Sequence, residues 1–86
     1  MMHMHALTLI LQCKGSVQRI ERRLEWPTVP RAGELIEVAP AFIASYRSIV
    51  NIRHNLSASR IEVMIEPIQN NVFDNIAKDE LVWKRV

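Results

Sequence analysis

The chain has 86 residues, 49% of them hydrophobic, and its 11 Lys and Arg against 9 Asp and Glu give a net charge of +2. This length is typical of one domain, here residues 1–86, with a thin core. Both charge signs are mixed in each half, with five basic and four acidic groups in residues 1–38, which excludes a dedicated basic arm for nucleic acid.

Cysteine usage and hydropathy predict a compartment. Cys13 is the sole cysteine, so no disulfide can form within the chain, as is typical of the reducing cytosol. The N-terminus lacks the Lys/Arg region and the long apolar stretch of a signal peptide. No run approaches the roughly 20 apolar residues of a membrane span. We therefore expect a cytoplasmic protein without a membrane partner.

The N-terminal segment predicts a β-hairpin. Hydrophobicity alternates over residues 5–13 with the period of a strand. The inward face is predicted to contain Leu7, Leu9 and Leu11. Gly15 lies in a short turn, and the polar residues of 17–26 alternate as in a second strand. The apolar residues of 17–26 also have helical spacing, so a helix is the alternative there.

A Pro-Arg-x-Gly-Glu corner follows this hairpin. Pro30 lacks an N–H and ends the preceding strand, while Gly33 provides the backbone freedom that a turn needs. Arg31 and Glu34 form either an ion pair or hydrogen bonds to the backbone of the turn. A short strand over residues 35–38 is expected next.

Two more strands are predicted over residues 45–54 and 61–65, with a polar hairpin loop between them. Alternation in the first groups Tyr46 with Val50 and Ile52. Predicted core residues of the two strands are Val50, Ile52, Val63 and Ile65. Pro67 ends the second strand, because it cannot donate to a strand ladder.

The C-terminal tail, about residues 70–86, predicts a short helix. One apolar helix face consists of Val72, Phe73, Ile76 and Ala77. Asn70 or Asn71 is expected to cap this helix, and Asp74 lies near its start, where the helix dipole favours negative charge. Residues 81–86 either continue the helix or form a final short strand.

The strands and the corner together resemble small bacterial and phage proteins, most of them uncharacterised, that carry a P-R-x-G-[DE] segment. The matching residues are Pro30, Arg31, Gly33 and Glu34, then Tyr46, Ile49, Val50 and Ile52, then Ile61, Val63 and Ile65. The resemblance covers about residues 5–67. It leaves the tail unmatched and implies a small SH3-like barrel. Together with the helix predicted in the tail, we expect a mainly β (α+β) fold, a small SH3-like barrel of about five antiparallel strands with a short C-terminal helix. Its motif is structural and carries no catalytic residue. Because a fold does not determine a function, the resemblance implies an architecture only.

Two combinations of residues have the chemistry of a site. His3 and His5 lie on one strand face, and His54 provides a third metal ligand if its strand is adjacent. Cys13 lies about 26 Å along the strand, so the fourth ligand is missing. Cys13 and His54 are also residue types that can serve as a nucleophile and its base. However, Cys13 lies on the same strand face as the core leucines, which favours a small core residue. We expect no metal, no cofactor and no enzymatic activity.

An arginine-rich segment with a tryptophan is the candidate for nucleic-acid binding, because arginine contacts phosphate and aromatic rings stack on bases. Its residues are Arg19, Arg22, Arg23, Trp26 and Arg31. Glutamates alternate with these arginines, which favours ion pairs on a solvated face instead. Glu62 and Glu66 are likewise expected to be solvated charges on an exposed strand face.

Residues 39–45 predict an apolar loop without charge. Loops are normally polar, so exposed Phe42 and Ile43 would mark an interface. Phe73 and Trp83 of the tail offer further apolar surface. Two alternatives remain: the tail covers the loop within one chain, or Phe42 plugs the end of the barrel.

These patterns favour a non-catalytic protein-interaction or self-association module. A symmetric homodimer is the expected assembly, because a twofold contact is the commonest way for an apolar patch to find a match. Another protein is the other partner that we expect. A small nucleic-acid-binding β-barrel, using the arginine-rich residues 19–31, is the alternative function.

Overall fold

The computed structural model describes residues 4–38 and 46–86, which form a curled six-stranded mixed sheet and one α-helix. The elements are β1 (His5–Gln12), β2 (Arg19–Trp26), β3 (Leu35–Glu37), β4 (Tyr46–Asn55), β5 (Arg60–Ile65), α1 (Asn70–Ala77) and β6 (Lys84–Arg85). The order across the sheet is β3-β4-β5-β1-β2-β6. The curled sheet makes a half-barrel, which confirms the mainly β class with a short C-terminal helix.

The N-terminal hairpin forms as predicted, so residues 17–26 contain a strand and not a helix. β1 and β2 pair antiparallel over all eight residues of each strand. Gly15 occupies the turn with a φ of +75°, a backbone conformation that residues with a Cβ rarely adopt. The leucine stripe is buried as predicted, with Leu11 fully inaccessible. The sheet face that carries this stripe is called the inner face below, and the opposite one the outer face.

One pairing corrects the expectation of an antiparallel barrel of five strands. β1 and β5 are neighbours in parallel, with Leu7 opposite Ile61 and Ile10 opposite Met64. A hairpin can join only antiparallel strands, and the connection from β1 to β5 contains β2, β3 and β4. Beyond the end of β1, the parallel ladder continues as a bridge between Cys13 and Ile68.

The predicted corner lies between β2 and β3 and is held against β4. The Arg31 N–H donates to the Glu34 carboxylate, so Glu34 acts as a backbone ligand of the turn, the second of the two predicted alternatives. Gly33 has a φ of +92°, and its N–H donates to the Ile49 C=O at 2.7 Å. The Ile49 N–H in turn donates to the Glu34 C=O at 2.8 Å. These bonds fix the direction in which β3 starts.

The prediction that Val50 is buried is wrong, because β4 contains a β-bulge. Ile49 lies opposite Ile65 and Asn51 opposite Met64, so Val50 is an extra residue without a partner on β5. A bulge interrupts the alternation of side chains. Val50 is consequently 57% exposed, whereas Ile49 is 2% exposed and takes its place in the core.

The helix closes the core over the inner face. Its side chains Phe73, Ile76 and Ala77 are buried in the same cluster as the inward residues of the sheet. Gln69 is the N-cap and makes no side-chain cap bond, so the prediction of capping by Asn70 or Asn71 is wrong. Asp74 lies beyond the first turn, which contains no acidic residue. Within the described ranges, no helix is long and apolar enough to cross a membrane.

The end of the chain forms a strand, which decides between the two alternatives for residues 81–86. β6 pairs antiparallel with β2, with Lys84 opposite Glu21 and Arg85 opposite Ile20. A three-residue connection separates the end of α1 from Leu81, and Trp83 is 3% exposed just before β6. The buried indole anchors β6 to the core.

Candidate functional site

The predicted interaction residues divide into two groups. Phe42 and Ile43 belong to residues 39–45, which lie outside the described residues, as does the apolar loop predicted there. Phe73 and Trp83 are 0% and 3% exposed within their own chain. The expectation that these two side chains form apolar surface is therefore corrected. The tail packs inside one chain because the apolar face of α1 completes the core.

The structure separates the arginine-rich set instead of gathering it. Because side chains alternate across a strand, Arg19 and Arg23 lie on the outer face and Arg22 on the inner face opposite Leu9. Trp26 shares the parity of Arg22 and is 42% exposed. The outer face of β2 also carries two glutamates between and beside its arginines. They are Glu21 and Glu25.

Arg31, the fifth member of the set, lies apart from β2. It is an exposed residue of the corner, and its backbone N–H is held by Glu34. The five residues therefore do not form one continuous basic groove among the residues that the structure describes.

The most organised polar group is centred on Glu62, on the outer face. This side chain is only 7% exposed, and its Oε2 accepts hydrogen bonds from Arg60 Nε at 2.9 Å and Nη2 at 2.7 Å. Its Oε1 lies 3.1 Å from Arg53 Nη2 on the neighbouring strand β4. Glu62 is therefore a buried, doubly paired carboxylate, and the prediction of a solvated charge is wrong for it.

The hydrogen bonds from Arg60 hold the pKa of the Glu62 carboxyl below its usual value, although burial acts in the opposite direction. The positive charges of Arg60 and Arg53 lower this pKa further. A carboxylate with such partners stays ionised and is a poor general acid. The chemistry of Glu62 is therefore that of a fixed anion, not of a proton donor.

The same guanidinium extends the network across the sheet. Arg60 Nη1 lies 3.4 Å from Glu21 Oε2 on β2, so the charges span β4, β5, β1 and β2. Thr8 of the intervening strand β1 is 2% exposed and lies opposite Glu62. These contacts connect β4, β5 and β2 on the outer face and pass over β1, so their role is structural. Sequence reasoning missed these contacts, although oppositely charged residues at 53, 60 and 62 flank one predicted hairpin loop.

Glu66 also has a structural contact. Its Oε1 accepts a hydrogen bond from the Ser48 N–H at 3.0 Å, and the Glu66 N–H donates to the Ser48 C=O at 2.9 Å. The side chain continues the ladder at the point where β5 has ended. The prediction of a merely solvated charge is therefore incomplete for Glu66.

The cysteine and the histidines are apart. Cys13 is 3% exposed and belongs to the core cluster, as predicted from its parity. His54 lies in register with Ile61 and hence with Leu7, six residues and about 20 Å from Cys13 along β1. The nucleophile–base pair is therefore not assembled.

His5 and His54 line one shallow cleft at the end of the sheet where β1 begins. His3, the third ligand considered from the sequence, lies outside the described residues. Within residues 4–38 and 46–86, no three His, Cys, Asp or Glu side chains are grouped in a way that could hold a metal ion.

An apolar patch occurs on β3 and β4. Leu35, Tyr46 and Val50 are 65%, 59% and 57% exposed, and the β3–β4 register places Leu35 opposite Ser48 and Glu37 opposite Tyr46. Ile36, which lies between Leu35 and Glu37 on β3, is buried in the core. Leu35, and Tyr46 opposite Glu37, therefore lie on the outer face. We call Leu35, Tyr46 and Val50 the outer patch. The β-bulge of β4 adds Val50 to this patch, because it turns that side chain outward.

The sheet also has an open edge. On the side of β2 away from β1, β6 pairs with Ile20 and Glu21 and with no later residue of β2. Residues 22–26 of β2 have no strand on that side among the residues described, and we call them the open edge. The unpaired N–H and C=O groups of such an edge can form hydrogen bonds with another strand.

No family model, curated protein or solved structure matches this chain.

Proposed function

We propose that this chain is a non-catalytic protein-interaction module that associates with a second copy of itself. The observation that carries the proposal is the open sheet. The described strands end at β3 on one side and at β6 on the other, and no pairing joins these two strands. Only full closure of a barrel removes its edges, so an open sheet offers backbone donors and acceptors to a partner strand.

We also propose that the half-barrel is a variant of the SH3-like barrel. The corner that leads into a short strand, the hairpin of β4 and β5, and the return of β5 to β1 support this assignment. The SH3-like architecture is compatible with an interaction module, although the fold alone does not establish that role.

The outer patch supports a protein partner as well. Three large apolar side chains are more than half exposed on neighbouring strands, and such groups of apolar residues mark interaction surfaces. Phe42 and Ile43 occur in the segment that connects β3 and β4 in the sequence. They remain candidates for the same interface, and Phe42→Glu is the variant that tests them.

Size-exclusion chromatography with light scattering tests self-association directly. At ~100 μM, a concentration that populates a dimer of micromolar Kd, we expect about twice the chain mass of 10.0 kDa. A mass that stays at one chain at this concentration would overturn the proposal. Dilution should shift the measured mass toward the monomer, because the contact is between separate chains.

A nucleic-acid-binding barrel is the second candidate function. The observation in its favour is that Arg22 and the partly exposed Trp26 lie on one face of β2, two positions on either side of Leu24. An arginine and an aromatic ring at this spacing can contact a phosphate and a stacked base. The glutamates of β2 and the separation of the other arginines make it the less supported candidate.

A further inference from the structure

The open edge has a defined set of backbone groups. The Cys13 N–H donates to the Gln18 C=O at 3.0 Å, so the backbone of residue 18 faces β1. The Val86 N–H donates to the Arg19 C=O at 3.2 Å, so residue 19 faces the other side. Backbone groups alternate along a strand, so Arg23 and Glu25 direct their N–H and C=O groups away from β1. The open edge therefore presents two donors and two acceptors.

We infer that the second copy of the chain binds at this open edge, with the two β2 strands antiparallel about a twofold axis at Leu24. This inference rests on the proposed self-association and assigns it to one surface. Arg23 then lies opposite Glu25 of the other copy, and Glu25 opposite the other Arg23. Both residues face outward in both copies, so these two pairs make four backbone hydrogen bonds.

The side chains match in this register. The two Leu24 residues form a non-hydrogen-bonded pair, in which Cα atoms are only about 4.5 Å apart and side chains are closest. Arg23 and Glu25 make two ion pairs on the outer face, related by symmetry. On the inner face, Arg22 lies opposite Trp26, which permits a cation–π contact at each end.

Neighbouring registers are unfavourable. A twofold axis at Arg23 places two arginines opposite each other, and an axis at Glu25 places two glutamates opposite each other; like charges in such positions destabilise a sheet. A shift by one residue pairs outward-facing backbone groups with inward-facing ones, so the ladder cannot form. The axis at Leu24 is the register that satisfies both the backbone and the charges.

The length of the open edge also fits. With Leu24 at the axis, a ladder that continued past Trp26 would bring Pro27 of the second copy to the position opposite Glu21, which Lys84 of β6 occupies. Pro27 follows β2 directly and has no N–H, so it ends the ladder at this point. Residues 27–28 form a bend directly after β2, so Pro27 leaves the sheet before Glu21 and the pairing is confined to the two five-residue segments 22–26.

A charge exchange tests the register. Arg23→Glu places glutamates opposite each other twice, and Glu25→Arg does the same with arginines, so each variant should raise the dimer Kd about tenfold or more. The double variant Arg23→Glu/Glu25→Arg restores both pairs and should recover a Kd close to that of the wild type. Arg19→Glu changes the charge on the same strand face outside the open edge and should leave the Kd unchanged.

Hydrogen exchange provides a readout independent of the variants. The amides of Arg23 and Glu25 should be protected at ~100 μM and should exchange faster on dilution to a mostly monomeric sample. The amide of Arg22 bonds to β1 and should be protected at both concentrations. Far-UV circular dichroism of each variant checks that it is folded.

The outcomes separate the two proposals. A wild type that is monomeric at ~100 μM overturns the proposed self-association, and this inference with it. A dimer that Arg23→Glu leaves intact, or that Phe42→Glu alone dissociates, overturns the open edge as the interface while self-association stands. Loss of the dimer in both single variants with recovery in the double variant supports the inference.

Discussion

Glu62 lies opposite Arg53 on the neighbouring strand, and the Glu62 Oε1 and Arg53 Nη2 atoms are 3.1 Å apart. Arg60 reaches the other carboxylate oxygen from the same strand as Glu62. A carboxylate that is nearly inaccessible and contacts two guanidinium groups is stabilising only while it is charged and paired.

We expect Glu62→Gln to destabilise the protein by about 1–3 kcal/mol, because two arginines lose the charge that compensates them. The value is at the lower end for a buried pair because the Arg53 side chain is half exposed. Urea denaturation at pH 7 measures the free energy of unfolding. Glu80→Gln, a change of the same charge at an exposed position, is the matched control and should change it by less than about 0.5 kcal/mol.

The same carboxyl group predicts a pH dependence. The pKa of Glu62 is lower in the folded chain than the ordinary value of 4.5, so folding favours the ionised form. Its contribution is fully present above 4.5 and is lost as the pH falls through the lowered pKa of the folded state. The difference in unfolding free energy between the wild type and Glu62→Gln should thus be constant from pH 7 to about 5 and shrink at lower pH. A difference that grows on acidification would contradict this assignment.

Ile49 and Val50 should respond in opposite ways to truncation. Ile49→Ala removes a core side chain and should cost about 2–5 kcal/mol. Val50→Ala removes an exposed side chain and should cost less than about 0.5 kcal/mol. Urea denaturation of the two variants at one pH provides the comparison. Equal losses at both positions would show that the bulge does not place them on opposite faces.

The bulge also shows how far the sequence could predict this fold. Simple alternation correctly identified the leucine stripe of β1 and the buried Val63 and Ile65. These two strands contain no bulge, so their side chains alternate between the faces without interruption. In β4, the extra residue shifts the faces, and nothing in a period-two pattern marks where that happens. The local corner could be predicted because Pro30 and Gly33 restrict the backbone by themselves.

Long-range features could not be predicted in the same way. The parallel pairing of β1 with β5 depends on a crossover of the whole chain, and β6 has only two residues. The pairing of Glu62 with Arg53 needed the register of β4 against β5. The open edge depends on how far along β2 the pairing with β6 extends, and this pairing ends at Glu21. Sites that depend on sheet order therefore require the structure, even when each strand can be predicted alone.

The turn at the corner provides a further stability prediction. Glu34→Ala removes the carboxylate that accepts the Arg31 N–H, and we expect a loss of about 1 kcal/mol in the free energy of unfolding. Glu34→Gln keeps an acceptor oxygen at the same distance along the side chain and should retain most of the stability. Thermal unfolding of both variants measures the difference. If Gln were as destabilising as Ala, the charge rather than the hydrogen bond would hold the turn.

For nucleic acid, we expect weak or no binding at ~0.15 M salt. Arg22 and Arg23 lie on opposite faces of β2, and Glu21 and Glu25 share the face of Arg23, so a phosphate chain meets mixed charge. Any binding that occurs should fall steeply as salt rises, because phosphate contacts release counterions.

Titration of labelled single- and double-stranded oligonucleotides, followed by fluorescence anisotropy, measures this affinity. Arg22→Ala/Arg23→Ala is the informative variant, and Lys14→Ala/Lys78→Ala is its control, because it removes two exposed positive charges elsewhere on the chain. A Kd of about 1 μM or below for the wild type, lost in the arginine variant and kept in the lysine variant, would favour the nucleic-acid-binding barrel over the interaction module. Equal loss in both variants would instead indicate a general charge effect without a site at β2, because phosphate contacts weaken in proportion to the positive charges removed.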